Sequence, residues 1–432
     1  MSILGKFQRL PIRLYPDPAR VIVRPFRPAT EPRNLTSIDK SRVNRIVDRV
    51  LAMSAEMEAQ QLAHIVANFE GRHRNFLAIC RAQSLDLEGA FVDPPSLSDD
   101  QRQLVGAYFL HEYSFEASAL FNPSIVPHPD QSDLSEGDLR FVLSLRAVGE
   151  GHISSLTFQS GVIRKDGNIQ MDMKARYASL PLVTERTNSS KGEVVDLTFD
   201  AEQQLGERVI FPVTEAQANG IEDARFVAFD DEGTRSYHAT VTAYSGRAIS
   251  SQLVSTCDFV SFRLQPLFGN ATGNKGMALF PRKIDGLFAM IGRQDNENLY
   301  YMTSTDLRVW NDGVAILKPL FPWEFIQLGN CGSPIELDEG WLVFTHGVGP
   351  VRKYVIGAVL LDKADPTRVL GRTAEPLISP EPSEREGYVP NVVYTCGGLR
   401  HGDRIVLPYA VSDTYTNFAM IPIVDLLALL QA

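Results

Sequence analysis

Cysteine is scarce in this sequence, and the four present, Cys80, Cys257, Cys331 and Cys396, are far apart. No CxxC pair or Cys/His ligand spacing occurs, so a structural zinc site has no support and no metal is expected. Nothing in that cysteine usage points to an oxidising compartment. No window approaches the roughly 18 to 20 apolar residues of a membrane-spanning helix. The first residues carry Lys6, Arg9 and Arg13 but no apolar core segment or small-residue cleavage site. The expectation is a cytoplasmic protein without a membrane partner. Basic charge is in deficit, 42 Lys and Arg against 52 Asp and Glu for a net −10. No Lys/Arg stripe interleaved with aromatics compensates, which argues against a nucleic-acid partner. GxSxG, HExxH and phosphate-cradling glycine loops are also missing, and no cofactor is expected.

What is present divides in two. Residues 1–36 hold six prolines and one short apolar run, Val21-Ile22-Val23, and read as an extended arm or edge strand. Val43, Ile46, Val47, Val50 and Leu51, continued by Leu62, Ile65, Val66 and Phe69, repeat at helical spacing, giving a helical extension over 37–80. From Asn122 onward that period vanishes and short alternating runs separated by Gly, Asp, Asn and Pro take over. They fall into five groups, opening at Asn122, Glu222, Leu279, Gly332 and Val389, the later ones at intervals of roughly 55 residues. The expectation is an all-β fold, a five-bladed β-propeller over 110–432 with an N-terminal helical extension and an insertion at about 165–215. A long sandwich is the competing architecture.

In a propeller the first strand of each blade lines one axis, so polar residues at the strand starts converge on one funnel. Glu222-Asp223-Ala224-Arg225 opens the second group with two adjacent carboxylates and an arginine. Successive side chains of a strand face opposite ways. Asp223 is therefore expected as a proton donor, and Glu222 as a hydroxyl acceptor or a partner of Arg225. Acids, amides and aromatics without a metal cluster suit a neutral polyhydroxyl ligand and glycosidic bond cleavage. His346 reads equally as a core or a hydroxyl-binding histidine, and Trp341 as packing or a sugar platform.

Several stretches together resemble glycoside hydrolase family 130, whose members act on β-mannosides by hydrolysis or phosphorolysis. They are Asn122-Pro123-Ser124-Ile125, Glu222-Asp223-Ala224-Arg225, Leu279-Phe280-Pro281-Arg282-Lys283-Ile284, Gly340-Trp341-Leu342, His346-Gly347-Val348, Leu360-Leu361-Asp362, Pro390-Asn391-Val392-Val393 and Tyr409 to Asp413. The resemblance implies a five-bladed propeller and inversion at the anomeric carbon. It implies that Asp223 acts as the acid through a relaying sugar hydroxyl, and that Asn122, Arg146 and Asp413 hold the non-reducing mannosyl unit. Ser124, Glu222, Arg225, Lys283, Trp341, His346, Asn391 and Tyr409 complete the expected substrate contacts.

Two departures bear on the nucleophile. Phosphorolytic members carry an arginine where this chain has Ser250 and a histidine where it has Gly292. Phosphate wants several fixed donors, so the expectation is an inverting exo-acting hydrolase of β-linked manno-oligosaccharides, β-1,2 being the linkage the resemblance implies. Glu324 is then the first candidate for activating water, with Glu297 and Glu150 next. The alternatives are a β-mannoside phosphorylase releasing mannose 1-phosphate, with Arg263, Lys283 and Arg293 as the candidate anion site, and a non-catalytic carbohydrate-binding propeller. Expected partners are the oligosaccharide, inorganic phosphate under the phosphorolytic alternative, and a second copy of the chain through the N-terminal helices.

Overall fold

The helical period that begins at Val43 belongs to a unit with its own core. The computed structural model describes residues 7–29, 41–88, 96–189 and 192–431. Parts of the expected arm (1–6 and 30–36) and of the expected extension (37–40) lie outside the described residues. One unit comprises residues 19–114 and 176–179. Its helices are Arg42–Leu51, Ala55–Phe69, Phe76–Glu88 and Asp99–Tyr108. Ser41, Ser54 and Ser98 cap three of them, each hydroxyl accepting from a backbone N–H one turn on, worth about 1 kcal/mol apiece. Val47, Val50, Ile65, Phe76, Leu104 and Phe109 close over one apolar centre. A short antiparallel pair, Ile22–Pro25 with Leu110–Tyr113, borders it.

The second unit, residues 1–18, 115–175 and 180–432, carries the β-structure. Strand Gln8–Leu14 adds to the edge of Tyr415–Pro422, which continues into Arg404–Val411 and Val393–Tyr394. A four-stranded sheet spans Ala278 to Leu317, and a six-stranded sheet is built around Trp341–Gly349 and Lys353–Leu361. The largest sheet has eleven strands.

The expected all-β five-bladed propeller does not hold. The protein is mixed α/β, and its sheets are open, none closing on itself among the described residues. The first two strand groups do not form separate blades. They merge where Gly220, in a left-handed conformation, pairs in parallel with Ser154; a Cβ at Gly220 would sit 3.0 Å from the Ser154 Cβ. The expected insertion also contributes to this sheet, since hairpin Leu182–Ser189 and Gly192–Thr198 extends it beyond Ser261–Pro266. Counting strand starts captured the short strands but not which edges pair.

Candidate active site

Two long strands bring the first acidic cluster together. Ala119–Pro127 is irregular between Phe121 and Ser124, and Gly220–Asp231 between Glu222 and Arg225. Each irregularity throws one polar residue into the left-handed region, Asn122 at φ 49° and Asp223 at φ 53°. Asn and Asp tolerate that conformation better than most residues. The consequence is direct, because Asn122 Nδ2 donates to Asp223 Oδ1 at 2.7 Å, both residues being buried.

Arg146 organises the rest. Its guanidinium donates to Asp223 Oδ1 at 3.2 Å and to Glu222 Oε1 at 2.8 Å, while its Nε donates to Ser154 Oγ at 2.9 Å. The group also lies 5.0 Å over the Phe121 ring. Arg225 is spent beneath the site, donating to the carbonyls of Cys331 and Asp223 and to the Tyr394 hydroxyl. It fixes the backbone of Asp223 and does not offer itself to a ligand. Asp413, at φ 48° in the turn between Arg404–Val411 and Tyr415–Pro422, faces the same electrostatic centre.

Burial tends to keep all three carboxyls protonated, and the balance with nearby charge differs at each. At Asp223 burial is outweighed by Arg146, Arg225 and Lys275, so its carboxylate is held well below the usual range. Glu222 is pushed up by burial and by the neighbouring Asp223 charge, with Arg146 opposing. Asp413 is pushed up to about 6 by burial, Arg146 opposing and Asp223 reinforcing. The three form one electrostatically linked set with unequal proton affinities.

Lys275 and Arg293 supply cations that strand-start reasoning overlooked or left unplaced. Lys275 Nζ is 4.0 Å from Glu222 Oε2, and Arg293 Nε donates to the Lys275 carbonyl at 3.3 Å. Arg293 also approaches His346 Nε2 at 3.3 Å. Burial and the charges of Arg293 and Arg225 keep His346 neutral. Asn330, whose Nδ2 donates to the Gly276 carbonyl at 2.7 Å, has its buried Oδ1 unpartnered among the described residues. The signal in sequence was the Gly-Asn-Lys-Gly turn around Lys275, outside any strand.

Asn391, at φ 61°, is held close to the Asp413 turn, because Val389 N–H donates to the Ser412 carbonyl and Ser412 N–H to that of Val392. Ser124 ties two strands together by accepting from the Phe226 N–H at 3.0 Å. Trp341 is fully buried, its indole N–H bonded to the Lys363 carbonyl, and is packing rather than a platform. Tyr409 is buried against Glu384 and Arg9.

Lys283 pairs with Asp231 at 2.8 Å, at the opposite end of strand Gly220–Asp231 from Glu222, a separation of roughly 30 Å at 3.3 Å per residue. Arg263, largely exposed, forms a two-pronged pair with Asp196 on the neighbouring strand. Neither joins Arg293, so the expected three-residue anion site is not assembled. Glu324 is locked as well. One oxygen accepts from Arg372, and the other from the backbone N–H groups of Leu320 and Phe321 at 2.8 and 3.0 Å. It stabilises its own turn and pairs with Arg372.

A family model described as β-1,4-mannooligosaccharide phosphorylase matches residues 186–432. A β-1,2-mannobiose phosphorylase of Listeria innocua is 36% identical over 215 residues, which is 48% of this chain and 58% of that protein. The chain thus spans less than two thirds of that relative's length. A 1,2-β-oligomannan phosphorylase of a Thermoanaerobacter species is 32% identical over 228 residues, covering 52% of this chain and 75% of the relative. The solved structure of the Listeria enzyme with β-1,2-mannobiose superposes with a TM-score of 0.52 at 26% identity, over 72% of this chain and 92% of that one.

Proposed function

The chain belongs to glycoside hydrolase family 130, and from that premise we propose that it is a β-mannoside phosphorylase, transferring a mannosyl unit from a β-1,2-linked manno-oligosaccharide to inorganic phosphate. The observation that carries this reading is the placement of Lys275 beside Glu222, with Arg293 donating to the Lys275 carbonyl. Arg146, Lys275 and Arg352 act on the Glu222, Asp223 and Asp413 carboxyls. Cations set among these acids suit a dianion, which needs fixed donors to replace its water. Of the donors absent at Ser250 and Gly292, Lys275 is the cation that stands in, while Arg293 is the arginine that follows Gly292. Water as nucleophile needs a carboxylate base, and Glu324 is committed to Arg372 and its own turn. The phosphorylase names of the relatives support the same choice.

In this reaction a phosphate oxygen attacks C1 of the non-reducing mannosyl unit from the face opposite the glycosidic oxygen. The C1–O bond breaks, the leaving oxygen takes a proton, and mannose 1-phosphate is released with a saccharide one unit shorter. Asp223, fixed by Asn122 and Arg146, is the acid and passes its proton through a sugar hydroxyl. In the empty site it is ionised. The proton is drawn from the linked set, where Asp413 and Glu222 bind it more tightly, and a bound phosphate raises the proton affinity of all three. The test is the dependence of product on phosphate, with Lys275→Ala expected to raise the KM for phosphate more than that for the saccharide. Equal effects on both would count against the anion assignment.

A further inference from the structure

The turn that carries Asp413 is fastened to a distant part of the chain. Strand Gln8–Leu14 lies antiparallel to Tyr415–Pro422, with Arg9 opposite Ala419. From there the Arg9 guanidinium engages four acceptors. It donates to the Tyr409 hydroxyl at 3.1 Å, the Ser379 carbonyl at 2.9 Å, Glu384 Oε2 at 3.4 Å and Glu381 Oε1. Glu384 is buried, and its Oε1 also accepts from Tyr409 at 2.8 Å and Asn417 at 3.1 Å.

The Glu384 carbonyl accepts from Ser412 Oγ at 2.7 Å, and Ser412 is the fully buried neighbour of Asp413. The two segments are pressed together, since a Cβ at Gly387 would meet Thr414 Oγ1 at 2.5 Å and Ser412 Cβ at 2.6 Å. Tyr388 N–H closes the contact on Thr414 Oγ1 at 2.8 Å.

We infer that Arg9 is a positioning residue for the site, acting through Glu384 and Ser412 to hold the left-handed Ser412-Asp413 turn. Arg9 lies outside residues 186–432, the stretch common to the family model. Its cation compensates the one carboxylate on which the Tyr409 and Asn417 donors converge. Without it Glu384 becomes a buried charge with only neutral donors, an arrangement that favours rearrangement of the segment. Asp413 then leaves its place among Arg146, Asp223, Arg352 and Lys275, the charged groups that act on it.

The decisive variant is Arg9→Met, compared with Arg9→Lys and with Ser412→Ala, which removes only the hydroxyl link. This rests on the proposed phosphorolysis for its kinetic assay. Arg9→Met is expected to lower kcat/KM roughly ten- to a hundredfold, as a displaced supporting group does, with partial recovery in Arg9→Lys. It should also move the Asp413 titration from about pH 6 toward the ordinary carboxylate range. That movement is read without substrate, as the part of the pH dependence of unfolding that Asp413→Asn abolishes. A wild type inactive on β-mannosides would undo the functional reading while leaving this readout intact. A folded Arg9→Met with an unmoved titration overturns the inference. If Arg9→Met does not fold, an unmoved titration in Ser412→Ala does the same.

Discussion

Asn122 donates its side-chain amide to Asp223 at 2.7 Å, and both residues sit at irregularities of their strands, which do not pair with each other, with φ near +50°. Two backbones therefore bear strain at one point, and the donor and acceptor they present meet without a flexible linker. Asn122→Gly removes the amide while keeping the backbone conformation, which glycine adopts freely. The expected result is a thermal midpoint close to wild type and a kcat/KM lower by roughly ten- to a hundredfold, the usual range for a lost supporting group. Unchanged kinetics would show that this hydrogen bond does not organise the site.

Asp223→Asn is expected to lose roughly two to four decades of kcat, the contribution of a positioned general acid. The Arg146 guanidinium keeps Glu222 as a partner, so the fold should persist. Steady-state rates on a β-1,2-linked mannobiose check this, and a nearly active variant would remove Asp223 from the acid role.

Asp413 gives a prediction with a definite sign. Its folded-state pKa of about 6 lies above the ordinary carboxylate value, raised by burial against the pull of Arg146. A group raised in this way contributes fully below its unfolded pKa, and the contribution is lost as pH rises through the folded one. Wild type should therefore lose stability between about pH 4 and pH 6 relative to Asp413→Asn, by at most roughly 2–3 kcal/mol. The two should be equally stable near pH 4, with Asp413→Asn ahead at pH 7.5. Denaturant titrations across that range would show it. Parallel curves would mean that Asp413 is not held in the buried, acid-rich setting described here.

Glu324→Gln separates a structural acid from a catalytic one. Its oxygens serve Arg372 and two backbone N–H groups, so the substitution should cost roughly 1.5–3 kcal/mol, as hydrogen bonds to charged groups do. Activity per folded molecule should stay within about threefold of wild type. Abolished turnover in a fully folded variant would restore it as a base.

The legible parts of the site were short and local. Asn122-Pro123-Ser124 and Glu222-Asp223 stand at strand starts and among the stretches that carry the family resemblance, and Asn122 and Asp223 do meet. Lys283 lies in the turn that follows Ala278–Leu279, where it reaches Asp231; Lys275, eight residues earlier, is the one that approaches Glu222. Glu324 and Glu384 look alike in sequence, yet one caps a turn and the other underpins Ser412, since their partners come from distant segments. The propeller expectation failed for a related reason. Strand spacing reports lengths, whereas the merging at Gly220 and the added hairpin at residues 182–198 depend on edges that no local pattern marks.

The central claim, that phosphate and not water takes the mannosyl unit, is tested most directly by the first product formed from a β-1,2-linked manno-oligosaccharide with and without inorganic phosphate. Mannose 1-phosphate should appear at a rate that saturates with phosphate, and free mannose should be negligible when phosphate is omitted. Free mannose released at the same rate in both conditions would contradict the account.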